Sequence, residues 1–151
     1  MPIVYEGFGN VLNHKAQTIT CPVNTVGVMG AGLALFMRNR VQGLKDHYKR
    51  LCYTGDLTIG KCQVYKVPEK EKLVLLFPSK DHWKDDSKIE YIESGLKDLV
   101  KNIEKLGIKE LAMVPIGCGL GKLDYHKDVR PLFEKYLDPL DIDVYLLHRE
   151  A

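Results

Sequence analysis

The chain has no long apolar run, no closely spaced cysteine pair, no internal repeat and almost no net charge. No apolar stretch in its 151 residues approaches the roughly 18 that a membrane-spanning helix needs, and Met1 to Asn10 shows no cationic-then-apolar leader. A cytoplasmic protein without a membrane partner is expected. The four cysteines, Cys21, Cys52, Cys62 and Cys118, form no C-x-x-C pair, and the five histidines make no metal-ligand spacing beside them. Structural zinc and disulfides are therefore not expected, no residue pattern asks for a cofactor, and any activity is expected to survive chelation. Lys plus Arg number 22 against 20 Asp plus Glu. That balance gives no general pull on nucleic acid, so such a partner would have to be held by a local site.

What is present is an ordinary globular composition, 45% apolar and 28% charged, with apolar periodicity from Ile3 to Leu147 and no linker. A single domain over residues 1–151 is expected, as a monomer. Gln17 to Asn24 is rich in β-branched residues and leads into glycines, which predicts a buried strand feeding a turn. Ala31 to Arg40 supplies the following helix, with Leu33, Phe36 and Met37 spaced by three and four. Lys61 to Val67 and Lys72 to Phe77 read as a hairpin around the charged turn Pro68 to Glu71. Ser87 with Glu90 three residues on has the form of a capping box, and Ile89, Ile92, Leu96, Leu99, Ile103 and Leu106 mark one helical face that Gly107 ends. A strand Leu111 to Pro115, an amphipathic segment with Val129, Leu132, Phe133 and Tyr136, and a strand Ile142 to Leu147 complete the pattern. Helices alternating with apolar strands predict a three-layer α/β domain with a mixed sheet that carries the hairpin at one side.

Two glycine clusters fall at strand ends, where ligands gather in such sheets. The first is Asn24-Thr-Val-Gly27-Val28-Met29-Gly30-Ala31-Gly32, which opens a helix. Glycines let backbone N–H groups approach an anion, and a helix N-terminus favours a phosphate. The spacing is neither G-x-G-x-x-G nor a P-loop, and a turn for tight helix packing explains this cluster about as well. The second is Pro115-Ile-Gly117-Cys118-Gly119-Leu120-Gly121, with three glycines at alternate positions. Two such loops at neighbouring strand ends suit a diphosphate, one on each side, and so a nucleoside diphosphate derivative. Cys118 has no histidine beside it in sequence to activate it as a nucleophile.

Val23-Asn24-Thr-Val-Gly27-Val-Met-Gly30-Ala-Gly32-Leu-Ala, Phe77-Pro-Ser79-Lys80-Asp-His-Trp83 and Ile116-Gly-Cys-Gly-Leu-Gly121 occur in this order. Together they resemble the macro domain family, in the branch of the terminal ADP-ribose glycohydrolases and the DNA ADP-ribosyl glycohydrolase antitoxins. The resemblance covers nearly the whole chain and implies an α/β/α macro domain. It also implies that Val28 to Leu33 and Gly117 to Gly121 wrap the diphosphate and distal ribose of ADP-ribose, with Asn24 near that ribose and Ser79 beside the ligand. Macro domains commonly recognise adenine through a Gly-Asp pair near the first strand, where this chain has Gly9-Asn10. An amide carbonyl there still accepts a hydrogen bond but without charge assistance, and Asn10 has the alternative of being a turn residue only.

Lys80 lies at the centre of the second motif, just after an apolar strand. A lysine there is either a solvated residue of a charged loop or, held as the neutral amine, a nucleophile. The resemblance implies the nucleophile, attacking the anomeric carbon of the distal ribose, with water and a carboxylate to release the product. The human-type glycohydrolases have an aspartate directly after Gly-Cys-Gly-Leu, where this chain has Gly121. The first carboxylate downstream is Asp124, as in the DNA antitoxins, and it is a candidate for catalysis or for a helix N-cap. That shift favours ADP-ribosylated DNA over ADP-ribosylated protein as substrate. Trp83 is equally a base-stacking residue or a core filler. Two alternatives stay open: a non-catalytic ADP-ribose reader, and a hydrolase of ADP-ribose 1''-phosphate or O-acetyl-ADP-ribose.

Overall fold

The computed structural model describes residues 3–7 and 9–148. Its six strands are β1 (Ile3–Glu6), β2 (Thr18–Asn24), β3 (Gln63–Lys66), β4 (Leu73–Lys80), β5 (Glu110–Met113) and β6 (Asp143–Leu147). They form one sheet in the order β1-β6-β5-β2-β4-β3, parallel throughout except for β3, which runs antiparallel to β4 at the edge. The mixed sheet with its lateral hairpin is as the sequence implies. β2 is buried at every position except Pro22, and β4 is buried from Val74 to Ser79, so both faces of these central strands are covered.

The covering helices are α1 (Gly32–Arg40), α2 (Leu44–Thr54), α3 (Ile89–Lys101) and α4 (Arg130–Leu137). α1 packs on β2 and on α2, whereas α3 packs on β4 and on α4. Ile92, Leu96 and Leu99 on α3 are fully buried. A Cβ at Gly95 would run into the Phe77 ring, so the helix rests directly on that side chain. None of the described helices is long and apolar enough to cross a membrane.

Three features differ from the sequence pattern. Lys88, not Ser87, occupies the N-cap of α3, and no side chain caps that end, so the Ser87–Glu90 capping box does not form. The helix also stops at Lys101 instead of running to Gly107. Asn102 turns its amide back onto the Asp98 carbonyl and carboxylate at 3.0 and 2.9 Å, and turns fill the interval to Gly107. The third difference is the pair of elements β1 and α2, which the periodicity did not single out.

One detail of the sheet positions everything that follows. β5 pairs with β2 only at Thr18 and Ile19, while β4 accompanies β2 through to Asn24. Beyond Ile19 the β2–β5 ladder lapses, and there Pro22, which has no N–H to give, costs the sheet no cross-strand bond on that side. The lapse opens a crevice at the carboxyl ends of three adjacent parallel strands.

Candidate active site

The crevice is the mouth of a cavity of about 940 Å³. Pro22, Val23 and Asn24 line it from β2, Ser79 and Lys80 from β4, and Val114 and Pro115 from the segment after β5. The first glycine loop contributes Val28, Gly30, Ala31, Gly32 and Leu33, and the second Gly117, Gly119, Leu120 and Gly121. The sequence-derived candidates Lys80, Asn24 and Ser79 thus meet both loops in one place. A second hollow of about 450 Å³ lies where α1 meets α2, lined by Arg38, Arg40 and Lys45 among others, but neither glycine loop reaches it.

Asn24 is the organiser of the first loop. Its Oδ1 accepts from the N–H groups of Val26 and Val28 at 3.1 and 3.3 Å, and its amide donates to the Val28 carbonyl at 2.8 Å. The buried Tyr48 hydroxyl of α2 donates to the Asn24 carbonyl and side-chain oxygens at 2.7 and 2.8 Å. Burial holds that phenol well above its ordinary pKa, so it remains a donor. Tyr48 carries no signal in a motif; only the Leu44–Tyr48 spacing, bracketed by Gly43 and Gly55, marks its helix. The loop ends at Ala31, the N-cap of α1, which offers no side-chain oxygen, so the first amides of α1 are directed at the cavity without a cap. Met29 is buried beneath the loop and does not line the cavity.

The second loop is built by crowding. Gly117 has φ of +77°, and a Cβ there would come within 2.9 Å of Leu123 Cδ1. A Cβ at Gly121 would fall inside the radius of Ser87 Oγ and 2.6 Å from the Gly117 carbonyl oxygen, so no aspartate fits where the human-type enzymes carry one. Gly119 is different: its Cβ direction meets nothing within 4 Å. Cys118 turns away from the cavity and its thiol donates to the Ile116 carbonyl. Burial, helped by the charges of Asp124 and Asp128, pushes that thiol up to about 12. The nucleophilic thiolate is thus nearly absent at neutral pH. Cys118→Ala is expected to keep turnover within about twofold of wild type; loss of activity in the folded variant would return Cys118 to the mechanism.

Lys80 stands in register with Asn24 across the β2–β4 ladder. Its Nζ donates to the Leu120 carbonyl at 3.3 Å and the Trp83 carbonyl at 3.4 Å, which suspends the amine between the second glycine loop and the 81–88 loop. The other two cavity lysines are engaged elsewhere. Lys84 Nζ lies 5.2 Å from the Trp83 ring centre, and Lys122 pairs with Asp86 at 3.6 Å. Trp83 is 49% exposed at the cavity mouth, which excludes it from the core. The 81–88 loop is moored to the first loop by Thr25, whose hydroxyl donates to the carbonyl and carboxylate of Asp81.

Asp124, Gly9 and Asn10 lie outside the cavity lining. Asp124 Oδ1 accepts from the Lys127 N–H at 2.9 Å and caps the π-helical turn Tyr125–Val129, which runs into α4. Asn10 Oδ1 accepts from the Leu12 N–H at 3.0 Å and caps a short 3-10 turn. Among the described residues that line the cavity, Asp86 is the only carboxylate, and neither it nor Ser87 stood out in the sequence as a site residue. Asp124→Ala is expected to lower stability by about 1 kcal/mol, the usual worth of a cap, with turnover unchanged. A thermal melt and a rate measurement on that variant check both parts.

A deep crevice at the carboxyl ends of parallel strands, two glycine loops and an uncapped helix N-terminus define an α/β domain built to hold an anionic, diphosphate-sized ligand. The macro domain family profile matches residues 20–131, and the chain belongs to the macro domain family. It is 34% identical to the DNA ADP-ribosyl glycohydrolase of Mycobacterium tuberculosis, over 95% of this chain and 42% of that protein. Among solved structures it resembles Thermosipho africanus DarTG in complex with ADP-ribose, with a TM-score of 0.87 and 39% identity over 93% of this chain and 40% of that one. It also resembles the macrodomain of Mycobacterium tuberculosis DarG, with a TM-score of 0.87 and 34% identity over 97% of each chain. The chain spans about two fifths of the length of the DNA ADP-ribosyl glycohydrolase relatives it matches.

Proposed function

We propose that this domain binds ADP-ribose and hydrolyses the bond joining it to a base of DNA, with Lys80 as nucleophile. The observation that carries this is the Lys80 amine, suspended by two backbone carbonyls between the second glycine loop and the 81–88 loop and free of any carboxylate partner among the described residues. The uncapped N-terminus of α1 and the open face at Gly119 are placed to take the diphosphate from two sides. The likeness to a DNA ADP-ribosyl glycohydrolase and to an ADP-ribose complex supports both halves of the proposal.

In the reaction the Nζ lone pair forms a bond to the anomeric carbon of the distal ribose. The bond from that carbon to the base nitrogen breaks, and its electron pair leaves with the base, which takes up a proton from solvent while Nζ loses one. The Nζ lone pair then expels the ring oxygen, which takes up a second proton that Nζ loses, to give an open-chain imine; water adds to its carbon, the carbon–Nζ bond breaks with its pair returning to the amine, which is reprotonated, and the aldehyde recloses to the ribose. Asp86, the one carboxylate among the described residues of the lining, would receive the water's proton. Trp83, half-exposed at the cavity mouth, offers a face on which a neighbouring base stacks.

The test is a substrate panel: a single-stranded oligonucleotide ADP-ribosylated on a base, a peptide ADP-ribosylated on glutamate, and the free metabolites ADP-ribose 1''-phosphate and O-acetyl-ADP-ribose. Fastest release from the oligonucleotide is expected. Turnover of the metabolites alone would reassign the substrate, and binding without turnover of any would make the domain a reader. We further propose that the domain works as a cytoplasmic monomer.

A further inference from the structure

We propose that the Ser87 hydroxyl is a positioning group for the second glycine loop, left without a hydrogen-bond partner in the ligand-free protein and given one when that loop closes on a bound diphosphate. This rests on the ADP-ribose reading above. Ser87 lines the cavity yet is only 5% exposed, and its Oγ is the one buried side-chain oxygen or nitrogen among the described residues that has no hydrogen-bond partner. The loop is laid directly on it. The Ser87 N–H donates to the Gly121 carbonyl at 3.0 Å, and a Cβ at Gly117 would stand 3.2 Å from Ser87 Cβ and 3.3 Å from Oγ. Gly121 lacks a side chain at the point where Ser87 Oγ sits.

An unpaired hydroxyl in such a place is costly, and an alanine of nearly the same shape would avoid the cost. The usual way for a serine at this position to find a partner is to cap the helix, but Lys88 takes that place and the hydroxyl is withheld from it. The hydroxyl instead faces the loop whose Leu120 carbonyl holds the Lys80 amine. A small movement of the 117–121 backbone brings a carbonyl or amide of that loop, or a ligand oxygen, within reach of Ser87 Oγ. The cost carried by the free protein is then recovered on binding, and the hydroxyl biases the loop toward its ligand-bound arrangement.

Ser87→Ala separates this role from a structural one, because the two predict opposite movements of stability. With ligand-free unfolding temperature and calorimetric ADP-ribose affinity measured on wild type and variant, the variant is expected to melt at or above the wild-type temperature and to bind about tenfold more weakly. Affinity within about twofold of wild type would overturn the proposal, as would a melting temperature that falls together with affinity, which marks plain structural support. A wild type that does not bind ADP-ribose would instead remove the functional reading on which the proposal rests.

Discussion

Lys80→Ala is expected to bind ADP-ribose within about threefold of wild type and to release it from an ADP-ribosylated oligonucleotide at least about a thousandfold more slowly. The binding half follows from the loops: the Asn24 network, the N-terminus of α1 and the crowded glycines at 117 and 121 make no use of the lysine amine. The chemical half follows from position. β4 ends at Lys80, paired with Asn24 of the first loop across the ladder, and the amine reaches the Leu120 carbonyl of the second. Lys84 and Lys122 do not substitute, since one lies by the Trp83 ring and the other is paired with Asp86. Release at near wild-type rate would remove the lysine from the mechanism, and loss of binding in a folded variant would make it an anion ligand instead.

Gly119→Glu is expected to fold and to lose ADP-ribose binding by at least about a hundredfold, on the order of 3 kcal/mol. Folding is expected because the new Cβ meets nothing within 4 Å and the backbone at this glycine is not in the left-handed region. Binding fails because a carboxylate is set into the loop that faces the diphosphate, where like charges meet in a partly desolvated cavity. A folded variant that binds normally would place the diphosphate elsewhere. The neighbouring glycines do not serve the same test, because substitution at 117 or 121 collides with Ser87, Leu123 or the loop's own backbone.

The parts of this fold that were legible in sequence are those whose signal is local. The β-branched run of β2, the helix formers of α1 and the charged turn between β3 and β4 each declare their element within a dozen residues. The glycine loops were legible for the same reason, since glycine spacing is visible without knowing what lies across the cavity. β1 has four residues, two of them exposed, and becomes a strand only by pairing with β6 at the far end of the chain. α2 buries only Leu44 and Tyr48 and carries charge around the rest of its surface, so its apolar stripe is thin. Ser87 and Glu90 have the spacing of a capping box, yet the helix begins at Ile89 with Lys88 as its cap, because Ser87 is drawn into backbone pairing with Gly121. That contact spans the β5 crossover and has no local signature.

The candidate site divides in the same way. Asn24, Ser79, Lys80 and most of both loops line the cavity as the motifs imply. Asn24 spends its amide on its own loop, with Tyr48 behind it, which spacing alone does not reveal. Asp124 was visible as a carboxylate near the loop, but whether it faces the cavity or the next turn depends on the path of three residues after Gly121. The structure gives it the cap. Asp86 and Ser87 sit in a charged loop that looks solvated in sequence and reach the cavity only because β4 delivers that loop to it.

The most direct test of the central claim is to mix wild-type protein with an oligonucleotide ADP-ribosylated on a base, quench with borohydride, and measure the intact-protein mass with peptide mapping. A reduced ADP-ribose adduct on Lys80, absent from Lys80→Ala, is the predicted result. Release of ADP-ribose with no adduct on Lys80, or with the adduct on another residue, would contradict it.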